Sequence, residues 1–384
     1  MRINVSALEL KSALAAHRRI TRKKLLPLSD HIIWIPDKNQ PNQITLVTHN
    51  LEQGVQTVLK AQEIENPIET LIPFEPLMNA LEPILLDKPI QIEIEEFQMK
   101  LTTPYGQYKF ASLPKEDNYV PLPEPNGIRI SLPGKTFLQA LEQVRPAISK
   151  NARTDLQSIL IETRQSERDI SFVATDTVRL VYSTFPVSEP VGDIRAVLPY
   201  EFVQLLLDMN PSPESVELVI QNNKAWVNDK AWVITNDKHS TLYYTTLFIE
   251  PYPQWRRVIP DYENPTFAKL QFTREELISQ LQHLMKFNEE KYACKTIMQY
   301  EPSENKVQLE YQDQTTKVQL QLEPQHVSGE PPAFAFNTQL LLPLLKHTFN
   351  QNTITILIEN PTRPIVLHEG NPQEKCGILM PMQL

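Results

Sequence analysis

The chain has 384 residues, with 37 Lys+Arg against 46 Asp+Glu and a formal charge of −9. Its 41% apolar and 22% charged residues exclude a disordered chain, and no run reaches the roughly 18 apolar residues of a membrane helix. Two cysteines, Cys294 and Cys376, cannot build a disulfide framework or a four-ligand zinc site, and the first residues lack the apolar stretch of a secretory signal, so a reduced, cytoplasmic protein is expected.

Taken in chain order, the apolar spacing repeats one plan three times. In the first segment Leu10, Leu14 and His17 fall at i, i+4 and i+7 of a helix, and Ile44 to Val47 reads as a strand. Leu71-Ile72-Pro73-Phe74-Glu75 then opens a second helix, since a proline at a helix start loses no intrahelical bond. The alternating Ile90 to Ile94 follows as a half-buried strand. In the second segment a Pro133-Gly134 turn opens a helix carrying Phe137, Leu141, Val144 and Ile148, followed by a strand at Ser158 to Ile161. Val197-Leu198-Pro199-Tyr200-Glu201 opens its second helix, before the alternation of Val216 to Ile220. The third segment has Leu277, Leu281 and Leu284, a strand at Lys306 to Tyr311, a helix opening at Ala335-Phe336-Asn337-Thr338, and the strand Ile354 to Ile358. Proline-rich joints near Pro121 to Asn126 and Pro260 to Pro265 divide the chain into three similar α+β domains, 1–126, 127–262 and 263–384.

Glycine is scarce, 8 residues against 33 prolines, which leaves little material for phosphate-cradling loops. Gly134-Lys135-Thr136 is the one partial match, but the second glycine such a loop requires would stand at Arg129. The eight histidines show no metal-ligand spacing, and there is no Gly-x-Ser-x-Gly elbow. The pairs Glu95-Glu96 and Glu289-Glu290 sit in hydrophilic surroundings and read as wet faces. No catalytic centre, metal or cofactor is expected.

Three strings carry a family resemblance. Val173-Ala174-Thr175-Asp176-Thr177-Val178-Arg179-Leu180 resembles the Ala-Thr-Asp-x-x-Arg-Leu signature of the bacterial DNA polymerase III beta subunit, the sliding clamp. Pro253-Gln254-Trp255-Arg256-Arg257-Val258-Ile259-Pro260 is similar to that family's Phe-Pro-x-Tyr-Arg-Arg-Val-x-Pro stretch, and Met380-Pro381-Met382-Gln383-Leu384 to its Met-Pro-Met-Arg-Leu ending. With the threefold plan, the resemblance spans essentially the whole chain. It implies α+β clamp domains with antiparallel sheets outside and helices lining a central hole, in a ring-shaped head-to-tail homodimer. Such a ring encircles duplex DNA, is loaded by an ATP-driven clamp loader and has no catalytic activity. It tethers the DNA polymerase III alpha subunit and other polymerases or repair proteins that carry Gln-Leu-x-Leu-Phe type motifs.

The resemblance also implies sites. A pocket for partner peptides would be lined by Leu156, Thr175, Thr177, Val178, Leu180, Pro253, Val258, Pro364, Ile378, Met380, Pro381, Met382 and Leu384, with Arg179 and Arg257 as rim donors. A plain core role is the alternative for Leu180 and Val258. DNA would meet Arg18, Arg22, Lys23, Lys24, Lys150 and Arg153, and Lys11, Arg18 and Arg22 would share one face if the first helix runs that far. Residues 1–30 carry +5 and 130–155 carry +2, while 273–295 sum to zero, so the remainder holds −16. Basic helices on an acidic body suit a hole that accepts phosphates. Tyr108 and Phe287 would stand at the dimer seam, with an intradomain core role as the alternative for Phe287. The chain departs from the family pattern at Thr177-Val178, where Gly-His is usual, and at Gln383, where Arg is. It also has Glu75 and Glu201 where basic residues are often found. These departures motivate a second expectation, a divergent clamp paralogue that binds peptides and is poorly loaded on DNA.

Overall fold

Period-two alternation translates directly into the observed sheets. In Pro89–Ile94 the three isoleucines are buried while Gln91 and Glu93 stay outside the core, and every strand ladder among the described residues is antiparallel. The computed structural model describes residues 1–22, 29–50, 52–95, 97–115, 121–149, 156–164, 168–189, 191–209, 212–221, 229–248, 251–262, 264, 266–288 and 293–384. Seven α-helices fall within them: α1 Ala7–Ala15, α2 Arg18–Arg22, α3 Phe74–Leu81, α4 Gly134–Val144, α5 Tyr200–Leu207, α6 Arg274–Met285 and α7 Thr338–His347. None of these is long and apolar enough to cross a membrane. The chain forms two compact units, Met1–Leu138 with Glu201–Ile249, and Gln139–Tyr200 with Glu250–Leu384.

The first unit holds a five-stranded sheet in the order Glu63–Glu65, Arg2–Ser6, Pro89–Ile94, Gln98–Thr103, Gly106–Ala111. It also holds a nine-stranded sheet in which Gln53–Lys60 pairs with Leu242–Thr246, so strands from two sequence repeats form one ladder. Ile3, Leu10, Leu14, Trp34, Phe74 and Met99 meet in one apolar core under α1 and α3. Each such side chain contributes about 1.5–3 kcal/mol by leaving water. Ser6 caps α1 by accepting from the Glu9 amide at 3.1 Å, and α3 starts directly after Pro73, as the proline placement predicts. Gly134 opens α4 where a Cβ would lie 2.0 Å from the Pro213 carbonyl oxygen, a close approach that no other residue permits.

The first helix is shorter than the i, i+4, i+7 spacing suggests. It ends at Ala15, and a turn at Ala16-His17 separates it from α2, so Lys11, Arg18 and Arg22 do not lie along one continuous helix. The cause is His17. Its ring is fully buried and its two nitrogens meet the Thr48 hydroxyl at 2.8 Å and the Thr57 hydroxyl at 3.1 Å, which draws the chain inward.

The second unit repeats this construction. A four-stranded sheet runs Lys317–Leu322, Lys306–Gln312, Lys295–Glu301, Phe334–Asn337. A nine-stranded sheet joins Ser158–Thr163, Asp169–Thr175 and Arg179–Pro186 of the second repeat to Lys375–Leu379, Ile365–His368, Thr353–Ile358 and Ala268–Thr273 of the third. Leu277, Leu281 and Leu284 of α6 are fully buried, and α6 packs against α7. Asn337 caps α7 by accepting from the Gln339 amide at 3.0 Å.

Burial lowers the His17 pKa from 6.5 to about 3. The unfolded chain therefore takes up the proton first, so this contribution to stability is complete above pH 6.5 and is lost as the pH falls toward 3. The expected slope is about 1.4 kcal/mol per pH unit. Urea midpoints at pH 7.5, 5.5 and 4.5 should fall steeply for the native chain and less steeply for His17→Gln; parallel declines would exclude His17 as the source.

Candidate functional site

The ladder that joins the second and third repeats positions the candidate site. Arg179 pairs with Leu379, Leu180 with Ile378, Val181 with Gly377, Tyr182 with Cys376 and Ser183 with Lys375. Beyond it the Met380 amide donates to the Val178 carbonyl at 2.9 Å, and the Met382 amide to the Ala335 carbonyl at 2.8 Å. These bonds hold the C-terminal stretch against the sheet.

At the ladder's end a tight turn links Asp169–Thr175 to Arg179–Pro186. The Asp176 carboxylate accepts from the Val178 and Arg179 amides at 3.0 and 2.6 Å, and its second oxygen takes the Arg179 guanidinium at 2.8–2.9 Å. Both side chains are nine-tenths buried, so the pair is a desolvated, charge-assisted clamp. Thr175 donates its hydroxyl to the Arg179 carbonyl at 2.6 Å and accepts from the Thr177 amide at 3.2 Å. Closing this turn puts Thr177 at φ 76°, a left-handed conformation that a β-branched side chain rarely adopts.

A second segment faces this turn. Pro253 to Pro260 forms a short 3₁₀ turn, Trp255–Val258, anchored through Glu162 on the neighbouring strand. One Glu162 oxygen accepts from the Trp255 indole at 3.3 Å and from the Arg256 guanidinium at 3.0 Å. The Arg256 guanidinium also lies 4.4 Å over the Trp255 ring, and Arg195 donates to the Tyr252 carbonyl at 2.7 Å. Below lies a buried polar cluster: Tyr182 donates to the Pro372 carbonyl at 2.6 Å, so Tyr262, 2.5 Å away, donates to Tyr182. Burial pushes the neighbouring Cys376 thiol up to about 12 and raises both tyrosines, leaving all three neutral and unreactive.

Between these segments opens a cavity of about 650 Å³. Eleven of the residues expected there line it: Thr175, Thr177, Val178, Arg179, Leu180, Pro253, Arg257, Val258, Pro364, Ile378 and Met380. Leu180 is buried, whereas Val258 at 53% and Met380 at 42% exposure are open to an occupant. Leu156 is buried and Leu384 exposed, and neither lines the cavity; nor do Pro381 and Met382. Arg179 is not a free rim donor, because Asp176 and the Leu340 carbonyl occupy its guanidinium. Arg257 is exposed and pairs with no carboxylate among the described residues. Trp255, Ile259, Phe267, Glu359 and Arg363 also line the cavity and were not expected there. Trp255 and Ile259 lie inside the Pro253 to Pro260 string, which could have flagged them; Phe267, Glu359 and Arg363 come from loops with no local signal.

Of the expected DNA contacts, Lys23, Lys24, Lys150 and Arg153 lie outside the described residues. Arg18 is exposed, and Arg22 stands 3.9 Å from Glu75 while Arg19 binds Asp208 at 2.7 Å. These are exposed pairs, worth about 0–1 kcal/mol each. Tyr108 lies half-buried in the edge strand Gly106–Ala111, stacked on Phe110, and Phe287 is 37% exposed with its ring against His283.

This arrangement of antiparallel sheets, helices and seam-spanning ladders is the fold of the bacterial sliding clamps. Among solved structures, the beta subunit of Streptococcus pyogenes DNA polymerase superposes with a TM-score of 0.88 at 18% identity, covering 100% of both chains. The Thermotoga maritima DNA polymerase III beta subunit gives 0.85 at 19% identity over 100% of this chain and 99% of that one. A Pseudomonas aeruginosa sliding clamp bound to griselimycin gives 0.87 at 16% identity over 100% of both. No protein-family model and no curated protein matches the sequence.

Backbone conformations of this kind cost about 1–3 kcal/mol. Thr177→Gly should therefore raise stability by about 1 kcal/mol, read as a higher urea midpoint with an unchanged slope; a lower midpoint would show that the Thr177 side chain contributes more through its contacts than its backbone costs.

Proposed function

We propose that the chain is a DNA sliding clamp, a non-catalytic processivity factor that encircles duplex DNA and tethers a replicative polymerase and other partners. The observation that carries this reading is the full-length clamp fold combined with an open apolar cavity at its inter-repeat seam. A topological tether needs no tight DNA contact, which suits exposed arginines held in weak ion pairs that phosphates can displace.

The proposal includes three clamp domains, 1–126, 127–262 and 263–384, in a head-to-tail homodimer. Two strands support the dimer: among the described residues, Gly106–Ala111 and Lys317–Leu322 each stand at the edge of a sheet with no strand on the outer side. Pairing the first of one copy with the second of the other would continue the sheets, with Tyr108 and Phe287 beside the joint. The cavity would receive the apolar anchors of short partner peptides, of the Gln-Leu-x-Leu-Phe type carried by a DNA polymerase III alpha subunit and repair proteins. A clamp loader would open the ring, and the cytoplasm is its working compartment.

The second reading, a paralogue that binds peptides and is poorly loaded, rests on Glu75 and Asp208 standing against Arg22 and Arg19. The two part in one assay. A main clamp, loaded by a clamp loader on nicked circular DNA, should stay bound and be released when the circle is linearised. Retention that survives linearisation refutes the topological tether, and peptide binding without loading selects the paralogue. Met380→Ala should weaken a fluorescent Gln-Leu-x-Leu-Phe peptide about tenfold, as loss of a well-packed anchor contact does, with sedimentation still reporting a dimer. Unchanged anisotropy would remove Met380 from the site.

A further inference from the structure

Of the 8 glycines in the chain, only Gly127 follows an asparagine or an aspartate. The pair Asn126-Gly127 lies in the proline-rich joint between the first and second repeats, and both residues are exposed. Asn66, Asn210, Asn264, Asn360 and Asn371 each precede a proline instead, which has no backbone N–H. The Asn126 side chain makes no hydrogen bond among the described residues.

The joint is fastened on both sides of this pair. Upstream, the Pro123 carbonyl accepts the Trp232 indole N–H at 2.9 Å. Leu122 packs against Ile33, Val47 and Leu71 of the first repeat and against Val219, Trp232 and Tyr244 of the second. Gly54 makes room for it, since a Cβ there would lie 2.3 Å from a Leu122 methyl. Downstream, Ile128 opens a ladder of six pairs with Ser215 to Ile220. Gly127 comes so close to that ladder that a Cβ on it would lie 2.2 Å from the Ile220 carbonyl oxygen. Only Glu124, Pro125 and Asn126 span the stretch between Pro123 and Gly127.

We propose that Asn126 is a site of spontaneous modification, converted to an aspartyl or isoaspartyl residue, and that the isoaspartyl form loosens the strand Ile128–Pro133. The Gly127 backbone nitrogen attacks the Asn126 side-chain carbonyl carbon. A C–N bond forms and closes a succinimide ring, the bond to the side-chain nitrogen breaks, and ammonia leaves with the proton of the Gly127 amide. Water then opens the ring at either of its carbonyls. No oxidant, reductant or cofactor enters. Glycine favours the step because no Cβ stands beside the attacking nitrogen.

The two products differ mechanically. Opening to aspartate keeps the backbone as it was and adds a negative charge. Opening the other way routes the backbone through the side-chain methylene, so the stretch between Pro123 and Gly127 gains one carbon. Both ends of that stretch are held, and the added length falls where Gly127 abuts Ile220. Among the described residues Ile128–Pro133 is the edge strand of its sheet, bonded on one side only, and yields most readily.

The test incubates the full-length folded protein at mildly alkaline pH beside a guanidinium-unfolded sample and the Asn126→Gln variant, and reads their peptides by mass. The folded native chain should show the amide-to-acid mass shift in the peptide that holds Asn126, with the isoaspartyl isomer identified by fragmentation. Asn126→Gln should lose that shift, because its longer side chain closes a ring far more slowly. Hydrogen exchange at Ile128–Pro133 should be faster in the isoaspartyl fraction than in freshly prepared Asn126→Asp, which carries the charge without the added carbon. A shift in the unfolded sample and none in the folded one overturns the proposal, since the anchors then hold the pair out of reach. Equal exchange in the isoaspartyl fraction and Asn126→Asp overturns the loosening and leaves the modification site standing.

Discussion

The backbone ladder between Arg179–Ser183 and Lys375–Leu379 is the constraint on which the functional half of the molecule depends. Five consecutive residue pairs tie a strand of the second repeat to a strand of the third, and the sheet continues unbroken through the joint. Backbone hydrogen bonds are indifferent to side-chain identity, so the ladder can persist while the sequence around it diverges. The turn at Asp176, the C-terminal stretch from Met380 and the floor of the cavity all take their positions from it. The same device, strands of two repeats sharing one sheet, recurs where Gln53–Lys60 meets Leu242–Thr246. One joint lies in each of the two compact units.

Around this frame the charged residues have two distinct employments. Asp176 with Arg179 is shielded from water, and Glu162 with Arg256 is partly so; both lock local geometry. Arg257 and Arg363 stay exposed on ordered backbone, available to a ligand. The difference arises from burial: a desolvated pair is costly to break, whereas an exposed guanidinium loses little when it exchanges water for a carboxylate. Thr177 fits the same pattern, since a strained residue persists only where the surrounding hydrogen bonds over-determine it.

Strand and helix periods were legible in full detail along much of the chain. Phe137, Leu141 and Val144 line the buried face of α4, and the second helices open at Phe74, Tyr200 and Thr338 as their proline and asparagine signals indicate. The first helix ends before its period suggests, because His17 occupies an apolar position in that period and only its two threonine partners reveal a buried polar turn. At the cavity, the two motif strings supplied most of the wall. Leu156, Pro381, Met382 and Leu384, which the family resemblance implied, are not among its lining residues.

By itself the sequence determined the local period of most elements and the strings that mark the cavity, because these depend on spacing along one strand or helix. It also separated basic opening segments from an acidic remainder, since charge is a property of composition. Only the tertiary structure decided which strands share a sheet, that Arg179 at the cavity is spent on Asp176, and that Phe267, Glu359 and Arg363 join its lining. Those outcomes depend on pairs of residues far apart in the chain, and the free energy that selects them is the burial and hydrogen bonding of both partners together.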